Sequence, residues 1–597
     1  MVVMDLGRRQ FFRFAAAVGA LVTVPQVAFQ ATARAATRLN GADYAAKFTK
    51  ALGRPPKVVL GPKKTSVTID ATQFTQQVLT GYPATALYGY GVAGSKGSWP
   101  GPTIHATSKQ KISIAWRNRL PKGSVKLAAG GHLLPVDATL LDAAMTALPA
   151  GQKPMVPHVH GSHAEWQSDG HPEAWFTQND VRGKKWHKST GTFDNSQVGG
   201  TLWYHDHTHG ITRLNVYAGM AGAYLLHDAT ETKLISKHVL PSATYEREIV
   251  LQDRWFNDDG QLSLDTQAAG GLLLSVYPDF MMANGVPWPV LAVQPRKYRF
   301  RFVNGSDSRV YVLNLSSKRS FLVIGTELGL LPAAVATSRL VMAPGERYDV
   351  ILDFTGHAKN AEIILRNAGI DGALVGFATA NGNVTNNPIG TTAFGIGPDV
   401  NPKSTGMVMK FKVSLKLSAA KKGTVVAGTK LGPALPKLKA TKTRKLMTYL
   451  GTDGQGRDME MLGNIGAGGT KMWMEPVTEI VTKGTTEIWE IYNTSVVAHP
   501  VHLHLVGFQV LDRASFDYTS KPKTMMDGGT GGVVTITNTG TRRKPEPYER
   551  GIKDTVICYP NEVTRIVAKF DRVGNYVWHC HILHHEDHDM MRPIVVR

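Results

Sequence analysis

Near the end of the chain, Val577-Trp578-His579-Cys580-His581-Ile582-Leu583-His584-His585-Glu586-Asp587-His588-Asp589-Met590-Met591 gathers a thiol, several imidazoles and two thioethers into one short stretch. A thiolate, two imidazoles and a weak axial thioether are the donor set of a blue-copper electron-transfer site. Cys580, His585 and Met590 supply three of those donors, and the fourth must come from elsewhere. His499-Pro500-Val501-His502-Leu503-His504 offers it.

Both stretches follow strand-like tracts, Ile488-Trp489-Glu490-Ile491 and Gly574-Asn575-Tyr576-Val577-Trp578. Along a strand, side chains alternate faces. Cys580 then faces one way, and His579 and His581 the other. His502 and His504 share a face. His499 lies an odd number of positions away and can take the opposite one. The simplest assembly puts His499, Cys580, His585 and Met590 on one copper. It leaves His502, His504, His579 and His581 for a second metal site, with the backbone around Cys580 as a covalent path between the two. Two more pairs, His158-Val159-His160 and His205-Asp206-His207, enlarge the second site's supply of imidazoles. Imidazole suits copper, zinc, iron and nickel alike. The neighbouring cysteine site argues for copper.

From about residue 40 to 597 the chain resembles the multicopper oxidases of the laccase and bilirubin-oxidase group, most of all the bacterial spore-coat-type laccases. The resemblance rests on HVHG, SDGHPEAWF, WYHDH, TRLNVYAG, HPVHLHL and HCHILHHEDHDMM as they stand here. It implies copper as cofactor, four ions per chain. On the family pattern, His158 and His502 bind the type 2 ion. His160, His205 and His581 bind one type 3 ion, and His207, His504 and His579 the other. His499, Cys580, His585 and axial Met590 bind the type 1 ion, the spacing selecting Met590 over Met591. The implied activity takes single electrons from a small-molecule reductant such as a phenol at the type 1 site. It reduces O2 to water at the trinuclear cluster. Asp169 and Glu586 are the carboxylates expected to handle protons, and Asp206 is expected to orient imidazoles. His163, His171, His209, His584 and His588 fall outside the ligand pattern. His209 and His588 remain candidates for an extra copper at high metal load.

The elements that must position these residues read as β. At 597 residues and roughly 100–200 per domain, three or four domains are expected. Sixty glycines and 32 prolines fit a turn-rich architecture. Lys111–Trp116, Tyr298–Phe302 and Thr486–Tyr492 read as strands leading to Asn118, Asn304 and Asn493, a sign of internal repetition. Trp203–His207 corresponds to Val577–His581, and His158–His160 to His502–His504. The expected fold is all-β, three cupredoxin-like Greek-key β-sandwich domains: 40–235, 240–417 and 445–597. A basic linker, 418–444, joins the last two. The first and third would share the multinuclear site, and the second would be structural. Ser515 to Arg550 reads as a long Gly-, Thr- and Pro-rich loop bordering the substrate entrance near His499.

Residues 1–35 read as an export segment. Arg8-Arg9 sits in a twin-arginine signature, Phe14 to Ala28 is apolar but too short for a comfortable span, and Ala33-Arg34-Ala35 is a cleavage site. The implied route is the twin-arginine translocase, with a periplasmic or secreted monomer and no stable membrane insertion afterwards. Net charge is +21, which attracts polyanions, but no nucleic-acid-binding motif is present and no such partner is expected. Cys558 and Cys580 are the two cysteines; bridging them would consume the copper thiolate, so no disulfide is expected. Three other functions stay open. A metallo-oxidase acting on Cu(I) or Mn(II) would draw on Met447, Met459, Met461, Met472, Met474, Met525 and Met526. A bilirubin-oxidase-like enzyme would share the same ligands. A non-enzymatic cell-division protein of this fold would have lost the histidine pairs.

Overall fold

The computed structural model describes residues 37–264, 267–268, 271–272, 275–381, 384–466, 468–523 and 530–597. The export segment, Met525 and Met526 lie outside the described residues. The chain is mostly β. Among the described residues, no helix is long and apolar enough to cross a membrane.

One structural unit recurs three times. Strands Ile112–Arg119, Lys297–Asn304 and Thr486–Asn493 each run parallel to an earlier long strand: Ser66–Gln76, Glu246–Phe256 and Lys442–Thr452. Each long strand also pairs antiparallel with a later strand of that unit, Thr85–Val92, Phe280–Ala283 or Asp458–Asn464. Asn118, Asn304 and Asn493 end the units in the same way. The side-chain amide donates to two backbone carbonyls: Lys153 and Phe176, Arg309 and Met342, Val497 and Cys558. The amide oxygen accepts from the N–H two residues on, at Leu120, Ser306 and Ser495. This Asx-type turn fixes the same corner in each copy, which is why the asparagines were legible as a repeat.

A five-stranded sheet accompanies each unit, giving three cupredoxin-like β-sandwich domains. Two of these sheets carry the histidine pairs. In the first, β1 (Pro157–His160) pairs antiparallel with β2 (Gly200–Asp206). In the third, β3 (His499–Leu503) pairs antiparallel with β4 (Gly574–Cys580), and a short helix α1 (Leu583–Asp587) follows. The first and third domains meet at this end. The Asp587 carboxylate accepts from the N–H groups of Thr212 and Arg213, at 3.0 and 2.9 Å.

Two segments differ from their sequence readings. Much of the described part of 515–550 is strand, not loop. Phe508–Pro522 and Gly532–Thr539 form a β-hairpin, with Phe516 opposite Thr539 and Pro522 opposite Gly532. The β-branched run Val533-Val534-Thr535-Ile536-Thr537 favours strand, and Val534 and Phe516 pack with Met447 and Tyr492. The Tyr518 hydroxyl on the hairpin donates to the Thr494 carbonyl at 3.2 Å. The basic connector is irregular as far as Thr441, and the next strand begins at Lys442. It is pinned rather than loose. Arg296 donates to the carbonyls of Ala420 and Lys421, and Val425 and Leu431 pack with Leu240 and Ile351.

Candidate metal centre

The two strand pairs present their histidines in one register. His158 lies opposite His205 and Val159 opposite Tyr204; His502 lies opposite His579 and Leu503 opposite Trp578. Alternation sends all eight imidazoles into one buried space between the domains. Their nitrogens come within ligand-sharing distance in the groups His158–His160–His205, His158–His502–His504 and His207–His504–His579. His581 joins through Nε2, 3.2 Å from His160 Nδ1.

Hydrogen bonds on the outer side of the rings set the tautomers. The Nδ1 atoms of His205, His502 and His579 donate to the backbone carbonyls of Asp206 (2.8 Å), Asp554 (2.7 Å) and Cys580 (3.0 Å). His158 Nδ1 donates to the Asp169 carbonyl, and His504 Nδ1 to the Asp169 carboxylate at 2.7 Å. Each Nε2 is then a bare lone pair aimed inward. His158, His205 and His502 Nε2 have no partner in the protein. His504 Nε2 and His579 Nε2 face each other at 3.2 Å, lone pair to lone pair, an arrangement that only a cation between them relieves. Two imidazoles at about 2.0–2.1 Å from a shared tetrahedral ion have nitrogens about 3.3 Å apart. His207 and His579 Nε2 stand at 3.3 Å. Burial, with neighbouring imidazoles adding to it, holds His158, His160, His207, His502, His504 and His581 well below the ordinary histidine range, hence neutral.

His160 is turned the other way. Its Nε2 meets Asp554 Oδ1 at 3.1 Å and Thr555 Oγ1 at 3.2 Å, leaving Nδ1 toward His581. Both Asp554 oxygens are also held by Arg347, at 2.7 and 2.6 Å. Asp554 is therefore close enough to be grouped with His160 and His502, yet its oxygens are already committed to the guanidinium. Sequence reading passed over both residues. An Asp and an Arg far from the histidine motifs carry no spacing signal.

The opposite face of β4 carries Cys580. Its Sγ lies 3.6 Å from His499 Nδ1 and 3.7 Å from His585 Nδ1, and the Ile582 N–H donates to it at 3.4 Å. The outer nitrogens are again held: His499 Nε2 by Ser495 Oγ at 2.6 Å, His585 Nε2 by Ser275 Oγ at 3.3 Å. Met590 shares the core cluster of Cys580, whereas Met591 packs with Trp473 and Val577. Burial raises the Cys580 thiol well above its ordinary range; it ionises when a cation sits beside it. Cys558 is free and buried, pushed up to about 12 by burial.

The two expected carboxylates lie against the histidine cluster, one from each domain. Asp169 holds His504, and burial pushes its carboxyl up to about 6. Glu586 is wholly buried on α1, with Oε2 3.1 Å from His579 Nδ1 and Oε1 3.6 Å from His207 Nδ1. Neither oxygen makes an aligned hydrogen bond. Asp206 orients an imidazole through its backbone and not through its carboxylate. Its side chain accepts from the N–H groups of Val156 and Thr208 and from Asn215 Nδ2, while its backbone carbonyl holds His205. His163, His171, His209, His584 and His588 fall in none of the metal-competent groups among the described residues. His163 pairs with Asp571 at 2.7 Å, and His584 meets Arg213.

Models of the multicopper oxidase family match residues 149–231 and 440–597. A laccase of Bacillus subtilis (strain 168) is 36% identical over 561 residues, covering 92% of this chain and 98% of that protein. Multicopper oxidase LPR1 of Arabidopsis thaliana is 31% identical over 545 residues, with 86% and 85% covered. The McoA multicopper oxidase structure from Aquifex aeolicus shares the fold at a TM-score of 0.65 and 24% identity, covering 92% of this chain and 99% of that one. The chain belongs to the multicopper oxidase family. It is a laccase-like multicopper oxidase, an oxidoreductase with copper as cofactor in type 1, type 2 and type 3 sites.

Proposed function

We propose that the enzyme oxidises phenolic and related aromatic reductants one electron at a time beside Cys580 and passes the electrons to O2 at the histidine cluster. The observation that carries this reading is the two-faced strand β4. Cys580 lies with His499 and His585 on one side, while His579 and His581 lie on the other among the remaining histidines. When bound, copper supplies one-electron uptake at the first site and four-electron reduction of O2 to water at the second. His499, Cys580, His585 and Met590 would hold the type 1 ion, and His158 and His502 the type 2 ion. His160, His205 and His581 would hold one type 3 ion, and His207, His504 and His579 the other.

The protein's own groups supply geometry and protons. The anchored Nδ1 atoms keep the rings from turning, so the cluster is arranged before any ion binds. Asp169 and Glu586 sit where water is excluded, and each is placed to hand a proton toward the cluster. The middle domain contributes no histidine to the cluster. Its part is the clamp in which Arg347 fixes Asp554 and, through it, His160. The three repeated units support a division near 40–235, 240–417 and, moving the last boundary back to the strand that begins at Lys442, 442–597. The twin-arginine signature supports export to the periplasm or beyond, with the mature chain acting as a monomer.

Oxygen uptake by the copper-loaded enzyme tests the substrate class, with a methoxyphenol, bilirubin, Cu(I) and Mn(II) compared side by side. The phenol is expected to sustain uptake without released peroxide. Turnover with a metal ion but none with phenols would contradict the reading.

A further inference from the structure

The positive charge of this chain is unevenly spread. Between Asp399 and Asp453 stand twelve Lys and Arg and no Asp or Glu, so that one stretch holds more than half of the net +21. Lys410 pairs with Glu362 and Arg444 with Glu487; among the described residues the other ten have no ion-pair partner. Cations left unneutralised side by side repel one another, and an anionic partner relieves that repulsion.

From Leu415 to Leu431 the segment is held by its backbone, which leaves its side chains to face outward. The Leu415 N–H donates to the Val293 carbonyl at 3.1 Å, and Ser418 Oγ meets the Tyr245 hydroxyl at 2.6 Å. Arg296 donates to the carbonyls of Ala420 and Lys421, and the next residue, Lys297, to that of Val425 at 2.7 Å. The Thr424 and Val425 N–H groups donate to the carbonyls of His238 and Val239, which brings the exposed Lys237 alongside. The carboxylates beneath are already spent, Glu231, Glu246 and Asp349 on Arg299 and Arg301. What the segment shows to solvent is of two kinds. Lys416, Lys421, Lys422 and Lys430 are exposed. Among them Leu415, Leu417 and Val426 are 45%, 39% and 57% exposed, although aliphatic side chains are usually buried.

This mixture selects the partner. Residues 412–448 include no Phe, Tyr, Trp or His, so the segment offers nothing on which nucleic-acid bases could stack. A soluble phosphate polymer would use the lysines and gain nothing from the leucines. A lipid surface uses both, because anionic headgroups attract the cations and the boundary with the acyl chains takes the aliphatic groups. We propose that the connector between the second and third domains docks the enzyme on an anionic lipid bilayer, with Lys416, Lys421, Lys422 and Lys430 against the headgroup phosphates and Leu415 and Leu417 in the interface. The attachment is peripheral and spans nothing. It stands on the second domain, which contributes no histidine to the cluster, so docking and oxidase turnover are expected to be independent.

The test measures partition of the copper-loaded enzyme onto sedimented vesicles at about 0.1 M salt. One set is pure phosphatidylcholine, the other equal parts phosphatidylcholine and phosphatidylglycerol. Wild type is expected to prefer the second set. The combined Lys416→Gln, Lys421→Gln, Lys422→Gln and Lys430→Gln variant should lose that preference by roughly a hundredfold or more, at about fivefold for each cation. Leu415→Ser with Leu417→Ser should weaken binding several-fold with the charge unchanged. A control variant removes four exposed lysines of the first domain, Lys63, Lys64, Lys122 and Lys126, as glutamines; with the same net charge as the first variant, it should stay within about threefold of wild type. All four proteins share residues 1–35, so the differences belong to the patch. Equal losses in the two lysine variants would reduce the effect to net charge and overturn the proposal. So would absence of any preference for the anionic vesicles. Unchanged binding of the leucine variant, with vesicle-bound enzyme released by soluble polyphosphate, would replace the bilayer by a soluble polyanion and overturn it as well.

Discussion

The first and third domains present the same strand pair and use its outer face differently. In β1 and β2, His158 faces His205; in β3 and β4, His502 faces His579. Both pairs send their imidazoles inward by alternation. Between His205 and His207 stands Asp206, and between His579 and His581 stands Cys580. The Asp206 carboxylate accepts three hydrogen bonds and closes the first domain behind its histidines. Cys580 meets two imidazoles and opens a second centre behind its own. One residue on the far face of one strand, with partners to match, separates a domain that only holds the cluster from one that also feeds it.

Each half also places one carboxylate under the cluster, Asp169 in the first and Glu586 in the third. If the halves share the proton work, Asp169→Asn and Glu586→Gln should each slow reoxidation of the reduced enzyme by about 10²-fold. Anaerobic reduction of the blue site should stay within about a few-fold of wild type, because neither residue lies on the Cys580 side. Stopped-flow absorbance separates the two steps. Wild-type reoxidation in one variant alone would make the comparison lopsided, and in both would make the carboxylates structural.

A smaller effect is expected at Met590, which has no counterpart in the first domain. Met590→Leu removes a weak axial donor to the oxidised ion, so the potential of the blue site should rise while its copper is retained. Redox titration of that variant beside Met591→Leu checks the choice. A shift in the second variant only would reassign the axial position.

Much of this centre was legible because strand alternation is a rigid rule. The spacing of His499, His502 and His504, and the sequence His-Cys-His, sort the side chains onto two faces from the sequence alone. The repeated asparagines were legible because each makes a local turn two residues long. What escaped was set by tertiary packing. Asp554 and Arg347 come together from separate domains 207 residues apart, and Ser275 reaches His585 across 310. No local pattern announces either meeting. The 508–539 hairpin escaped because its glycines outweighed a β-branched run. Asp206 orients His205 as its position between two histidines implied, but through its backbone carbonyl, because the alternation that directs those rings inward turns its carboxylate toward Val156, Thr208 and Asn215.

The central claim is that Cys580 and the histidine cluster are separate centres on opposite faces of β4. Cys580→Ser tests it most directly, by metal analysis together with visible and paramagnetic resonance spectra. The expected result is loss of the intense blue band and of oxidase activity, and one copper fewer per chain. The type 2 signal and the remaining three coppers should stay in place. Retention of the blue band, or collapse of the type 2 signal with all four coppers lost from a folded protein, would contradict the account.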